Sequence, residues 1–127
     1  MKISGRVIAG EGVGRTLGFP TVNIDCDDFI RKDCNLDFGV YAGFVTLPEG
    51  DKYKAGIVIG PLDLEGLPKL EAHIIDYKKN LYGVEVTFHI QEFLRPLKTY
   101  TSKDLLVKAI AADITKIKNM ELCLPES

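Results

Sequence analysis

Val84-Glu85-Val86-Thr87-Phe88-His89-Ile90-Gln91 alternates without a break: Val84, Val86, Phe88 and Ile90 hold one parity, and Glu85, Thr87, His89 and Gln91 the other. Successive side chains of a strand leave on opposite faces, so a period of two predicts a half-buried antiparallel strand, here placed over residues 82–91. Residues 40–47 and 53–59 are two further β-prone runs. Between them Pro48-Glu49-Gly50-Asp51 supplies the backbone angles of a tight turn, which makes a hairpin. Residues 70–76 and 3–9 add two more strands. A helical period appears once, near the end, where Leu105, Leu106, Ala109, Ile110, Asp113 and Ile117 recur at spacings of three and four. It follows Thr101-Ser102-Lys103-Asp104, which resembles a capping box. Many short strands followed by one amphipathic helix predict a closed antiparallel sheet with the helix packed against it.

With 127 residues the chain is expected to form one domain, residues 1–127, with a loose tail over 119–127. Charged residues make up 27% and the net charge is −2, so no basic excess exists to neutralise a nucleic-acid backbone. The three cysteines, Cys26, Cys34 and Cys123, have neither CxxC nor His-paired spacing, which argues against a disulfide framework and a zinc site. They fit reduced thiols in a cytoplasmic protein. No apolar segment follows Met1-Lys2 and no run is long enough to span a bilayer, so export, membrane insertion and a membrane partner are not expected. No protein partner is implied either.

The chemistry-bearing stretch is Gly10-Glu11-Gly12-Val13-Gly14-Arg15-Thr16-Leu17-Gly18-Phe19-Pro20-Thr21-Val22-Asn23. Gly10, Gly12, Gly14 and Gly18 let backbone N–H groups approach an anion closely, and Arg15 adds a cation. Thr21 and Asn23 are two apart, so in extended chain their side chains leave on one side and offer two hard oxygen donors. That set suits a phosphate with Mg2+, although a glycine-rich turn followed by an Asx-type turn reads equally well from these residues alone. The connection over 26–37 fits neither period and is expected to cover something. In the strand over 70–76, Leu70, Ala72 and Ile74 share one face while Glu71, His73 and Ile75 share the other. A carboxylate and an imidazole then point the same way, either as a solvated pair or as a base in a cleft. His73 rivals Glu71 as that base, because a free imidazole titrates nearer neutral pH than a carboxylate does. His89 has no obvious partner and reads as a surface histidine.

Gly-Arg-Thr-Leu-Gly-Phe-Pro-Thr-Val-Asn resembles the signature of the ATP-dependent riboflavin kinase (flavokinase) family, as do Gly39-Val40-Tyr41, Leu70-Glu71-Ala72-His73-Ile74-Ile75-Asp76, Leu81-Tyr82-Gly83, Phe93-Leu94-Arg95-Pro96 and Ala112-Asp113-Ile114. The resemblance implies a six-stranded antiparallel Greek-key β-barrel with a C-terminal α-helix packed on it. It implies transfer of the ATP γ-phosphate to riboflavin, giving FMN and ADP, with Mg2+ accompanying the nucleotide. Gly10, Gly12, Gly14, Arg15, Gly18, Thr21 and Asn23 would bind the nucleotide, Thr21 and Asn23 the metal, and Glu71 would be the base. Arg95, Tyr82 and Leu106 would border the flavin. The departures, at Gly60-Pro61-Leu62-Asp63-Leu64 and at Leu94-Arg95-Pro96-Leu97, fall on the acceptor side. Bifunctional relatives carry an adenylyltransferase domain ahead of this one; none is expected here, so FMN would not be carried on to FAD. The alternative is a non-catalytic flavin- or nucleotide-binding barrel, against which Thr21, Asn23 and Glu71 weigh, since a mere binder needs no base.

Overall fold

The computed structural model describes residues 1–8, 18–25, 37–62, 66 and 68–125. Six strands, β1 (Lys2–Ile8), β2 (Val22–Asp25), β3 (Gly39–Thr46), β4 (Lys52–Leu62), β5 (Pro68–Ile74) and β6 (Glu85–Pro96), precede one helix, α1 (Lys103–Asn119). The strands close into an antiparallel barrel in the order β1-β2-β5-β4-β3-β6. The meander β3-β4-β5 has β6 on one flank and β2 on the other, which makes two overlapping Greek keys. Closure removes the edges that an open sheet of this kind would expose.

The period-two patterns decide what goes inside. Ile3, Val45, Ile57, Ile59, Val86 and Phe88 are the bulkiest fully buried side chains of the barrel interior. A second, smaller cluster lies outside the barrel, where Ala42 and Ile75 meet Ile117 of α1, with Leu94, Ile114, Met120 and Leu122 packed around them. The helix can come this close because Ala42 and Gly56 are small. A Cβ at Gly56 would stand 3.3 Å from Ile117 Cδ1, so a larger residue would lift α1 off the sheet.

Several local details differ from the sequence expectation. The strand predicted from residue 82 begins at Glu85, because Leu81–Val84 turns: Val84 N–H donates to Leu81 O at 2.9 Å and Gly83 takes a positive φ of 81°. Leu81 is the buried residue of that turn, while Tyr82 is 67% exposed. The alternation of β6 breaks past Ile90, where the register with β3 shifts twice, leaving Gln91 and Leu94 as extra residues. These bulges return Phe93 to Tyr41, ring against ring at 5.2 Å, and put Arg95 opposite Val40.

The helix is capped one residue later than the box at Thr101 suggested: Ser102 Oγ accepts from Leu105 N–H at 3.2 Å. Leu105, the first residue of the helical period, is 49% exposed, while Ile117 at the other end is fully buried. The opposite terminus is held by a strand: Lys54 Nζ of β4 lies 3.3 Å from Ile117 O, 3.2 Å from Lys118 O and 2.6 Å from Met120 O. The segment beyond the helix, expected to be loose, makes contacts as far as Cys123, whose carbonyl accepts from Gln91 Nε2 at 2.7 Å. Among the described residues no helix is long and apolar enough to cross a membrane.

Candidate active site

The site begins with the ladder between β2 and β5, which pairs Val22 with Ala72 and Asn23 with Glu71. Ala72 is buried in the barrel interior, with Val22 packed against that core, so the next pair, Asn23 and Glu71, faces outward. Directly opposed side chains of an antiparallel pair have Cβ atoms about 4.5–5.5 Å apart, so the amide and the carboxylate are neighbours. Both are half-buried.

His73, two residues beyond Glu71 on the same face, is turned toward Pro20. Its Nδ1 lies 2.8 Å from Pro20 O, and its ring meets the ring of Phe19 edge-on at 5.9 Å and 82°. A carbonyl oxygen only accepts, so Nδ1 carries the proton and donates it. This fixes the role of one ring nitrogen.

Thr21 and Asn23 line a cleft of about 600 Å³, with Val7 and Ile8 on one side and the connection 77–82 on the other. The floor is apolar, formed by Val7, Ile74 and Leu81, while Lys78, Lys79 and Asn80 supply polar groups at the rim. Asn80 Oδ1 accepts from Tyr82 N–H at 2.8 Å, an Asx turn that shapes this wall. Glu71 does not line the cleft; it stands one strand away, beside Asn23.

Further around the barrel the register continues as a row. Glu71 is opposite Val58, Val58 is opposite Val40, and Val40 is opposite Arg95. With strands about 4.8 Å apart, Glu71 and Arg95 are separated by about 14 Å along the barrel surface. Arg95 is engaged by α1: Nη2 donates to Asp113 Oδ2 at 2.7 Å and Nε to Oδ1 at 3.1 Å. Hydrogen bonding to Asp113 holds its guanidinium even more firmly protonated than usual, and the Tyr100 ring lies 5.9 Å from its centre.

A sequence model of the riboflavin kinase (flavokinase) family matches residues 1–121. The chain belongs to the riboflavin kinase family. Mouse riboflavin kinase is 33% identical over 126 residues, covering 96% of this chain and 81% of that one. Riboflavin kinase from Trypanosoma brucei superposes with a TM-score of 0.71 at 22% identity, over 93% of this chain and 77% of that one, and so supports the fold. A Streptococcus pneumoniae structure described as a macrolide-efflux protein superposes with a TM-score of 0.79 at 27% identity, covering 94% of this chain but 39% of that one.

Within this family fold the expected site residues separate into groups. Thr21, Asn23 and Glu71 come together, and Gly18, exposed with a φ of 87°, leads into them. Tyr82 joins Thr21 and Asn23 at the cleft rather than Arg95 and Leu106, because β6 puts roughly 30 Å of strand between that turn and Arg95 at about 3.3 Å per residue. Leu106 is half-buried in the first turns of α1. Gly10, Gly12, Gly14 and Arg15 lie outside the described residues, as does most of the expected cover over 26–37. Lys78, Lys79 and Asn80 were missed by sequence reasoning; the adjacent lysines at a strand end were the available signal.

His89 is better connected than a surface histidine. Its Nε2 lies 2.9 Å from Thr46 Oγ1, and Lys2 is opposite it across the β1–β6 ladder. Burial first, then the charges of Lys2, Lys52 and the N-terminus, push its pKa below the ordinary value.

Proposed function

We propose that this chain transfers the γ-phosphate of ATP to the 5′-hydroxyl of riboflavin, giving FMN and ADP. The observation that carries the reading is the Asn23–Glu71 pair within a riboflavin kinase barrel: a neutral oxygen donor lining a nucleotide-sized cleft, and a carboxylate beside it on the adjacent strand. The apolar floor of the cleft takes the base, and Lys78 and Lys79 at the rim favour the anionic end of the nucleotide.

The donor set fits Mg2+ arriving with its nucleotide. Thr21 and Asn23 offer hard, uncharged oxygens, and among the described residues no group of three or more His, Cys, Asp or Glu side chains could hold a metal without phosphate. Held by Thr21 and Asn23, such an ion would neutralise phosphate oxygens as charge shifts toward the leaving group. Glu71 accepts the proton of the riboflavin 5′-hydroxyl as its oxygen bonds to the γ-phosphorus, while the bond from that phosphorus to the β–γ bridging oxygen breaks and its electrons leave with ADP. The flat ring of the acceptor lies toward half-buried Val58 and the edge of α1 at Leu106. Arg95, committed to Asp113, holds that helix over the row rather than reaching freely into solvent. Free Cys123 is exposed, which suits a reducing cytoplasm.

Incubation with riboflavin and Mg-ATP, followed by chromatography, tests the reading. FMN and ADP in equal amounts support it. Binding of both ligands without FMN would return the chain to the non-catalytic alternative.

A further inference from the structure

We propose that His73 is a positioning residue for the metal–nucleotide site, acting through the carbonyl of Pro20 and not as a proton acceptor. The inference rests on the proposed use of Thr21 and Asn23 as oxygen donors to Mg-ATP. β2 begins at Val22, so Pro20 and Thr21 lie ahead of the ladder that fixes Asn23 opposite Glu71. At that point His73 substitutes a side chain for the missing ladder bond: Nδ1–H donates to Pro20 O at 2.8 Å. The carbonyl it holds belongs to the same rigid peptide plane as Thr21 N, so fixing its direction fixes how Thr21 leaves toward the cleft. Pro20 contributes a locked φ on its own side of the plane.

Two further observations support this role over a catalytic one. Phe19 meets the imidazole edge-on at 5.9 Å, which hinders rotation of the ring away from Pro20. Ala72 between the two side chains is buried, so His73 and Glu71 share one rigid strand and the same outward face. A single strand then carries Glu71 and, through His73, sets the position of Thr21 relative to it. Such outer partners of oxygen or nitrogen ligands commonly matter by ten- to hundredfold in metal affinity or activity.

Side-chain geometry gives a sharp test. The amide nitrogen of Asn, like histidine Nδ1, is attached to Cγ, whereas that of Gln sits one atom further out. His73→Asn is expected to keep the Pro20 bond, with the Kd for Mg-ADP, measured by calorimetry without riboflavin, within about threefold of the parent. His73→Gln and His73→Leu are expected to weaken Mg-ADP by roughly ten- to hundredfold and to raise the KM for Mg-ATP alike, with a smaller change in kcat and none in the KM for riboflavin. In the parent, 15N NMR of the ring should show the proton on Nδ1.

The inference is overturned if His73→Gln binds Mg-ADP as the parent does, or if the neutral ring carries its proton on Nε2. It is also overturned if His73→Asn loses kcat as fully as His73→Leu, the result expected of a proton acceptor. Should His73→Leu fail to fold, the Asn and Gln variants decide the question. A parent protein that binds Mg-ADP yet makes no FMN would remove the proposed function, while the Mg-ADP titrations and the ring tautomer would still decide the role of His73.

Discussion

Lys54→Met isolates the attachment of α1 to the barrel. Methionine retains an unbranched stem of similar reach, so burial along the side chain is largely kept while the ammonium is lost. Three carbonyls at the helix end lose a donor, but they are not equal: Met120 O is at 2.6 Å, whereas Ile117 O and Lys118 O are at 3.3 and 3.2 Å. Ile117 O keeps a second partner in Met120 N–H at 3.1 Å, and the Lys118 bond is exposed and open to replacement by water. One short charge-assisted bond is thus the main loss, about 1.5 kcal/mol at the lower end of its class. A cation at a helix C-terminus adds about 0.5 kcal/mol. The expected cost is about 2 kcal/mol, or about 8 °C in Tm at roughly 4 °C per kcal/mol for a domain near this size. Urea unfolding followed by circular dichroism measures it, with Lys116→Met, an exposed lysine of the last turn, as the control. A Lys54→Met protein within 0.5 kcal/mol of the parent, or no less stable than the control, would refute the argument.

Three other outcomes are expected. Glu71→Gln keeps the shape but cannot take a proton, so kcat should fall by roughly 10²–10⁴-fold with ligand dissociation constants changed only a few-fold; turnover at the parent rate would move the base elsewhere. Asn23→Ala removes one oxygen donor and should raise the Mg2+ concentration needed for half-maximal turnover, with Tm nearly unchanged; an unfolded protein with no metal effect in its folded fraction would assign Asn23 to architecture alone. The depressed pKa of His89 means that the unfolded chain binds this proton more readily than the folded one, so its contribution is absent above the unfolded value of about 6.5 and grows more destabilising as pH falls through that value toward the folded one. The Tm of His89→Gln should therefore decline less than that of the parent between pH 7.5 and 5, and parallel curves would remove His89 from the pH response.

What the sequence disclosed was mostly local. The alternation of Val84 to Ile90, the turn at Pro48 to Asp51 and the spacing of Ile110, Asp113 and Ile117 each report a period set by backbone geometry, and each places its element within a few residues. Thr21, Asn23 and Glu71 were also recognisable as chemistry, through their types and the motifs around them. Their adjacency was not, because β2 and β5 meet by a non-local ladder whose register no window of sequence contains. The same reason hid Lys54 beneath the helix end and Thr46 beside His89. The family resemblance groups Tyr82 with Arg95, yet a long strand puts them at opposite ends, and the bulges at Gln91 and Leu94 that aim Arg95 leave no mark in composition.

The row from Asn23 through Glu71, Val58 and Val40 to Arg95 draws one residue from each of five strands, β2, β5, β4, β3 and β6. No single strand holds two neighbours of the row. A refolding molecule can form the β3–β4 hairpin early, since that loop is short, but Asn23 meets Glu71 only when two distant stretches of chain have found each other. Recovery of activity during refolding should therefore trail the gain of strand signal and coincide with barrel closure, which makes enzymatic turnover a clock for the slowest topological step.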